Sequence, residues 1–477
     1  MIRLLPFCLT CVLLTTAPQR AAPDWKAVDG ETMRHFQALL KFDTSDPPGQ
    51  EKPAVDYLKG VLEAEGIPVE ILYNEANRPN LVARLKGSGA RRPLLIMGHT
   101  DVVNVDPKKW KHPPFGAVRD GGHVYGRGSV DDKDNVVAGL MIMLLLKRQN
   151  VPLDRDVIFL AESGEEGSTR VGIQFMVNQH LPKIEAEYCL AEGGNLTRAG
   201  GKVKFASVQT LEKIPRGIEL TATGPAGHGS VPLRGNAVVR LANAIAKVAA
   251  WKTPVRLNET TRTYFERLAS ISSPEEARHY RGILSADAQT AEAADEHFLN
   301  REPRHGSMIR TSISPNIVQG GYRINVIPSE AKATLDVRMH PDDDHVALLE
   351  GVKKVIGDPS VEVAWAQRDV RPGSGSANLQ SEAFKAIEAM VTKHYQTVTL
   401  PTMSTGATDM AYLRAKGIQC YGIGPATDIE DGPLGFGAHS DQERILEAEL
   451  YRFVRFHYEL VEAIAARDRR VAGPNQP

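Results

Sequence analysis

Residues 94–101 have the sequence LLIMGHTD, an apolar run that ends directly in a histidine and an acid. A short, continuous apolar run is typical of a strand that is buried on both faces of a sheet. Residues 157–161 and 188–191 repeat the pattern, and a helical stretch, 135–148, lies between the first two runs. This alternation predicts a doubly wound α/β domain with a mostly parallel sheet and helices on both faces.

Further elements of the same kind flank this centre. Apolar periodicity predicts helices at 25–42, 57–65, 382–395 and 443–467, and a buried strand at 419–423. The α/β domain is therefore predicted in two pieces, 24–213 and 372–477, with a second domain inserted between them.

The inserted segment, 214–371, has a different pattern. The order is strand, helix, strand, strand, helix, strand, at 217–223, 236–251, 317–325, 330–338, 344–356 and 361–366. That order predicts a ferredoxin-like (split α+β) domain with an antiparallel sheet. Residues 252–305 form a charged, helix-prone insertion within it.

Composition limits the function. The 477 residues are 42% hydrophobic and 24% charged, with a formal net charge of −1, which is ordinary for a globular protein and excludes a disordered chain. Without a basic field, nucleic acid and anionic lipid are not expected partners. A small substrate is predicted.

The N-terminus has the layout of a secretory signal peptide. Arg3 precedes an apolar run, 4–14, and small residues follow before position 23. We therefore expect a leader at 1–23, a secreted or periplasmic protein, and no membrane attachment after leader removal. In the mature chain Cys189 and Cys420 lie in apolar strand-like runs and are predicted to be buried free thiols.

Acids and histidines follow the predicted strands. They are His99, Asp101, Asp131, Glu165, Glu166, Glu192 and His439. Because the carboxyl ends of parallel strands meet at one edge of a sheet, these side chains should lie together. Carboxylates gathered there repel one another unless cations hold them. Imidazole and carboxylate without thiolate favour zinc, followed by cobalt or manganese.

The order His-x-Asp, Asp, Glu-Glu, Glu and a late His resembles the dinuclear zinc peptidase family of glutamate carboxypeptidase, aminoacylase, acetylornithine deacetylase and succinyl-diaminopimelate desuccinylase. Other matching motifs are DTSDPPG at 43–49, GRG at 126–128, GHGS at 227–230 and NVIP at 325–328. The Glu-Gly-Gly at 192–194 is most similar to the carboxypeptidase S branch, which includes N-acyl-amino-acid hydrolases.

The resemblance implies two zinc ions. His99, Asp131 and Glu192 would hold one ion, and Glu166, His439 and the same Asp131 the other. Glu165 matches the general base of the family, and Asp101 matches the acid that fixes the tautomer of His99.

The resemblance also implies that the inserted α+β domain, 214–371, is a lid that supplies contacts to the substrate. His228 matches a histidine that reaches the partner subunit's active site and stabilises the oxyanion, which suggests a homodimer through the lid. Asn325, Arg338, Gly406 and Thr408 match substrate-binding positions. Arg338 could hold a carboxylate with two hydrogen bonds or form a salt bridge on its strand.

Together these features predict an enzyme that hydrolyses an amide bond next to a free carboxylate in peptides or N-acyl amino acids. An aminopeptidase or dipeptidase, a carbamoyl-amide hydrolase and a non-catalytic binding relative are the alternatives. Gly164 and Asp134 depart from the family pattern without removing a ligand, and the 252–305 insertion departs from compact lids.

Overall fold

The computed structural model describes residues 22–367 and 370–467, so the predicted leader lies almost wholly outside the described residues. The helices are α1 (Trp25–Leu40), α2 (Lys52–Ala64), α3 (Lys133–Arg148), α4 (Ile173–Gln179), α5 (Leu181–Ile184), α6 (Ala237–Ala250), α7 (Glu259–Ile271), α8 (Pro274–Gly282), α9 (Ala288–Arg301), α10 (Pro303–Met308), α11 (His345–Ile356), α12 (Glu382–Tyr395), α13 (Met410–Arg414) and α14 (Glu447–Ala465). Within the described ranges, none of them has the length and apolarity that a bilayer-spanning helix needs.

The strands up to the lid are β1 (Ser45–Asp46), β2 (Val69–Glu75), β3 (Arg78–Leu85), β4 (Leu94–His99), β5 (Val102–Val103), β6 (Val118–Asp120), β7 (His123–Tyr125), β8 (Val157–Glu162), β9 (Tyr188–Ala191), β10 (Asn195–Ala199) and β11 (Lys202–Glu212). Those that follow are β12 (Ile214–Thr223), β13 (Gly227–His228), β14 (Ser312–Gly320), β15 (Val326–Ile327), β16 (Glu330–Met339), β17 (Val361–Trp365), β18 (Val398–Ser404), β19 (Gln419–Gly422), β20 (Ala426–Asp428) and β21 (Arg444–Leu446).

The main sheet is a ten-stranded layer between two helical layers. Its order is β2-β3-β8-β4-β9-β19-β11-β10-β20, with β18 beside β11. The central strands β8, β4, β9 and β19 are parallel, as predicted, whereas β3 and β11 flank them in antiparallel register. The sheet is thus mixed rather than mostly parallel away from its centre.

The largest core lies on one face of this sheet. It joins α1, α2, α3, α12 and α14, and α3 is buried at every position from Lys133 to Leu146. A second core covers the opposite face with α4, α5 and α13, and it includes Cys189 and Cys420. Both cysteines are buried free thiols, as predicted. The α/β fold class is confirmed.

The inserted segment forms a four-stranded antiparallel sheet in the order β14-β16-β12-β17, with α6 and α11 packed against it around a core of its own. This is the predicted order of strands and helices. The domain bounds 24–213, 214–371 and 372–477 stay predictions.

The insertion at 252–305 folds as helices α7 to α10, but these helices pack mainly on the main sheet. Their core includes Phe265 and Phe298 together with Leu211 of β11 and Leu400 and Met403 of β18. The insertion therefore extends the catalytic half rather than the lid core.

Two predicted elements are displaced in the structure. Strand β14 ends at Gly320, not near 325, because Gly321 turns the chain with a φ of 73°. Residues 444–446 form β21 against β7, so the last helix begins at Glu447 rather than at 443.

Candidate metal centre

The carboxyl ends of three neighbouring parallel strands position the centre. His99 is the last residue of β4, Glu165 and Glu166 follow β8, and Glu192 follows β9. Asp131 enters from the segment before α3. The sheet edge therefore gathers the residues as the sequence predicts.

Asp131 lies between two histidines. Its Oδ1 is 3.1 Å from Nε2 of His99, and its Oδ2 is 3.1 Å from Nε2 of His439. Nε2 of His439 is also 2.8 Å from Oε1 of Glu166. One carboxylate thus faces a histidine with each of its oxygens, which is the arrangement that a bridging ligand needs.

Glu165 and Glu192 lie on the His99 side of the centre. One ligand atom from each of these three residues lies within 4.8 Å of the others, and the same is true of His99, Asp131 and Glu166. The structure therefore brings together every residue predicted to bind metal. Their individual roles stay predictions.

The donor chemistry fits divalent cations. Nδ1 of His99 is 3.1 Å from the backbone oxygen of Asp101, a pure acceptor, so a proton on Nδ1 leaves the Nε2 lone pair facing Asp131. A cation between the Nε2 lone pair of His99 and the carboxylate of Asp131 would relieve the repulsion between these two acceptors. Zinc, cobalt and manganese all accept this mixture of imidazole and carboxylate.

The electrostatics of the cluster show in the pKa values of its members. Burial alone would lower the pKa of His99, but hydrogen bonds with Asp101 and Asp131 raise it well above its usual value. Hydrogen bonds with Asp131 and Glu166 raise the pKa of His439 to about 10. Burial raises the pKa of Glu192, and the charge of Glu165 adds to the effect. Raised pKa values of this kind are typical of carboxylates and histidines gathered at a site of negative potential, which suits cations.

Asp101 orients the Glu-Glu loop as well as His99. Its carboxylate accepts hydrogen bonds from three successive backbone N–H groups, those of Gly164, Glu165 and Glu166, at 2.8, 3.2 and 2.9 Å. The same carboxylate is 3.5 Å from Nδ1 of His99. One buried acid therefore links the loop of the predicted base to a histidine that is predicted to bind metal.

The structure gives a local reason for one of the two departures from the family pattern, Gly164, and places the other, Asp134, in the core. Gly164 has a φ of +83°, and a Cβ there would lie 2.5 Å from the Ser168 carbonyl oxygen, so a side chain does not fit. Asp134 is buried, and neither carboxylate oxygen has a hydrogen-bond partner among the described residues. Burial, with the charges of Asp132 and Asp131, raises the pKa of Asp134 well above its usual range.

Two residues that the sequence did not indicate support the centre. Arg371 donates from Nη2 to Oε1 of Glu165 at 2.7 Å and from Nη1 to Oδ1 of Asp409 at 3.0 Å. Glu443 accepts from the backbone N–H of Val130, next to Asp131, at 2.9 Å. Arg371 lies in an irregular stretch rich in glycine and serine, so no motif identifies it.

The predicted substrate-binding residues lie at different places. The Thr408 hydroxyl donates to Glu212 at 2.7 Å, and Gly406 lies on the same loop. Arg338 donates from Nε to Asp336 at 2.9 Å, so of its two predicted contacts the structure shows the salt bridge on its own strand. Roles in substrate binding stay predictions for all three.

His228 and Asn325 lie together on the lid. His228 pairs with Val326 between β13 and β15, and its Nδ1 is 2.7 Å from Oγ of Ser230. The backbone N–H of Gly229 donates to the oxygen of Asn325 at 2.9 Å. Both side chains are exposed on the lid surface.

Residues 95–463 match the model of the peptidase family M20/M25/M40, and the chain belongs to this family. It is 28% identical over 394 residues to the probable carboxypeptidase S-like 2 of Dictyostelium discoideum, covering 80% of this chain and 74% of that protein. It is 27% identical over 383 residues to human N-fatty-acyl-amino acid synthase/hydrolase PM20D1, covering 78% and 74%. Human aminoacylase-1 is 26% identical over 379 residues, covering 78% and 80%.

Solved structures share the fold. The M20 metallo-carboxypeptidase Sso-CP2 of Sulfolobus solfataricus has a TM-score of 0.69 at 22% identity, covering 91% of this chain and 99% of that one. YXEP of Bacillus subtilis, described as a dinuclear metal binding peptidase of the family, has a TM-score of 0.58 at 16% identity, covering 92% and 98%. With the family and the curated relatives, these findings define the protein as a metal-dependent amide hydrolase of the carboxypeptidase and aminoacylase type.

Proposed function

We propose that this enzyme hydrolyses N-acyl amino acids that carry a free carboxylate, using two zinc ions. The observation that carries the proposal is the position of Asp131, which offers one oxygen toward His99 and the other toward His439. Curated relatives with N-acyl-amino-acid and aminoacylase names support the substrate class.

His99, Asp131 and Glu192 would hold one ion, and Glu166, His439 and Asp131 the other. When bound, the two cations would polarise the scissile carbonyl and make a nearby water acidic. The predicted order of affinity places zinc before cobalt and manganese.

Glu165 would move the proton. Its Oε1 accepts from Arg371, so Oε2 is the oxygen left for the attacking water. Burial raises the pKa of Glu165, while the charge of Arg371 opposes that rise. A carboxylate so balanced can take a proton from water and then donate it to the leaving amine nitrogen.

The lid would complete the site. The free carboxylate would lie near Asn325, Arg338 and the loop of Gly406 and Thr408. His228 would reach the active site of a second copy and donate to the oxyanion. The edge strand β14 and the loop after it expose the apolar side chains of Ile317, Val318, Tyr322 and Ile324, which supports a homodimer through the lid.

The substrate class is tested with matched compounds, each with a free or amidated carboxyl terminus. They are N-acyl amino acids, free-amine dipeptides and N-carbamoyl amino acids. We expect metal-dependent amine release only from free-carboxylate N-acyl compounds. Cleavage confined to free-amine dipeptides would favour a dipeptidase or aminopeptidase, and ammonia release a carbamoyl-amide hydrolase. If no compound is cleaved, the binding-protein alternative returns.

We also propose export, because the leader pattern at 1–23 precedes the first described helix. N-terminal sequencing of protein recovered outside the cytoplasm would test it. An intact Met1 there would contradict leader removal.

A further inference from the structure

A cavity of about 770 Å³ lies between the inserted helices and one side of the main sheet. Its size falls within the range of roughly 300–1,000 Å³ that is common for small-molecule sites. Helices α7, α8 and α10 form one wall, and strands β10, β11, β18 and β20 form the other.

One end of the cavity adjoins the metal centre. Val130, Asn195 and Ala438 line this end of the cavity. Each lies close in the chain to a predicted metal ligand: Val130 precedes Asp131, Ala438 precedes His439, and Asn195 follows Glu192 by three residues. A substrate whose scissile bond lies at the metal centre can therefore extend into this space.

The wall away from the centre carries aromatic and aliphatic side chains next to the polar side chains of Ser272, Glu276, Arg304 and His305. It includes Phe205 of β11, Tyr264 and Leu268 of α7, Tyr280 of α8 and Met308 of α10. The Tyr264 hydroxyl is 2.9 Å from Nε2 of His305, so its polar atom already has a partner.

Five charged residues line the cavity, Glu276, Arg304, Asp428, Asp431 and Arg444, and the last two of them form an ion pair. Arg444 donates to Asp431 at 2.6 Å, and its guanidinium also lies over the ring of Phe436 at 3.8 Å. A paired charge offers little to a charged ligand, whereas the surrounding rings suit an apolar group.

We propose that this cavity, which we name the insertion pocket, receives the apolar acyl chain of the substrate. The inference rests on the proposed N-acyl amino acid hydrolysis. The acyl group and the amino acid leave the scissile amide in opposite directions. With the amino-acid carboxylate held at the lid, the acyl chain extends toward α7 and α8. The insertion thereby selects chain length.

The test compares kcat/KM for N-acetyl-, N-hexanoyl- and N-decanoyl-leucine. Ser272, the residue directly after α7, lines the pocket, and Thr402 lines it from β18. Ser272→Trp and Thr402→Phe would each fill part of the space from a different element. Ile271→Trp is the matched control, because this neighbouring side chain is 45% exposed and is not part of the lining.

In the unmodified enzyme we expect kcat/KM to rise at least tenfold from the acetyl to the decanoyl substrate. Ser272→Trp and Thr402→Phe should lower the decanoyl value at least tenfold and leave the acetyl value within about twofold. Ile271→Trp should change neither value. The second filled variant keeps the test valid if the first does not fold.

Three outcomes would overturn the inference. If acetyl-leucine is cleaved but the filled variants treat all chain lengths alike, the pocket does not hold the acyl chain, and the proposed function stands. If the filled variants, assayed also on N-acetyl-alanine and N-acetyl-phenylalanine, instead change the preference among amino-acid side chains, the pocket belongs to that part of the substrate. If the unmodified enzyme cleaves only free-amine dipeptides, the proposed function fails, and the inference fails with it.

Discussion

Arg371 binds the predicted general base, Glu165, through two contacts: Nη2 is 2.7 Å from Oε1 of the side chain and 3.1 Å from the backbone oxygen. The same guanidinium donates to Asp409. Arg371 lies where the lid is predicted to rejoin the catalytic half. The contact therefore connects the base, the 406–409 loop and the lid junction in one ion-paired group.

Replacing Arg371 with alanine should lower kcat by roughly 10–100-fold, because a mispositioned base transfers protons poorly. Arg371→Lys should recover only part of that loss, since a lysine cannot donate to both carboxylates with a planar fork. Steady-state kinetics and metal analysis of both variants check this. Arg371→Ala should keep the full metal content of the unmodified enzyme while its kcat falls. A kcat within twofold of the unmodified enzyme would show that Arg371 does not position Glu165.

Asp101→Asn should weaken metal binding by about 10–100-fold, the range for groups that orient metal ligands. The amide keeps the shape but loses the charge that three backbone N–H groups and His99 share. Titration of metal-free protein with zinc measures the effect. Asp106→Asn is the control, since Asp106 caps a short 3₁₀ helix. Equal zinc affinity in the unmodified enzyme, Asp101→Asn and Asp106→Asn would show that Asp101 does not support metal binding.

Acid stability should depend on His457 of α14. The ring is buried, neither nitrogen has a hydrogen-bond partner within the described residues, and burial lowers its pKa to about 3. Between that value and the unfolded pKa of about 6.5, the unfolded chain binds more protons, so stability falls as the pH drops through this window.

The free energy of unfolding should therefore fall less for His457→Leu than for the unmodified protein when the pH is lowered from 7 to 4.5. The expected difference between the two falls is about 2–3 kcal/mol. Urea unfolding at both pH values measures the difference, and changes shared by the two proteins cancel. An identical loss in both would show that the ring is protonated or solvated in the folded state.

The lid edge should mediate dimer formation. Val318 on β14 is 61% exposed, and a carboxylate there would be desolvated in a strand-edge contact. Val318→Asp should shift the protein from dimer to monomer in light scattering. Val346→Asp is the control, because Val346 is 57% exposed but lies on α11. A monomer before any substitution would exclude this interface.

The sequence predicts the place where the acids and histidines gather for a simple reason. His99 ends a buried strand, Glu166 and Glu192 follow two others, and neighbouring parallel strands end at the same edge of the sheet. The order of elements in the lid is predictable on similar grounds, because burial alternates along the whole of β16 and along β12 from Ile218 to Thr223.

Other features depend on contacts between residues that are distant in the chain. Arg371 meets Glu165 across 206 positions, and no local pattern indicates the pair. The insertion has helical sequences, but only the packing of Phe265 beside Leu400 shows that it covers the main sheet. The apolar residues Ile317 and Ile324 place the predicted strand too far along the chain, because both side chains are exposed in the structure and do not mark a buried strand face.

The most direct test of the central claim is a paired measurement on Glu165→Gln: bound zinc per chain and kcat for an N-acyl amino acid. Glutamine keeps the size of the base and cannot accept the proton from water. We predict two zinc ions per chain, as in the unmodified enzyme, with kcat reduced at least about 1,000-fold. Two bound zinc ions with an unchanged kcat would contradict the assignment of Glu165 as the base, and fewer than two ions in the unmodified enzyme would contradict the dinuclear centre itself.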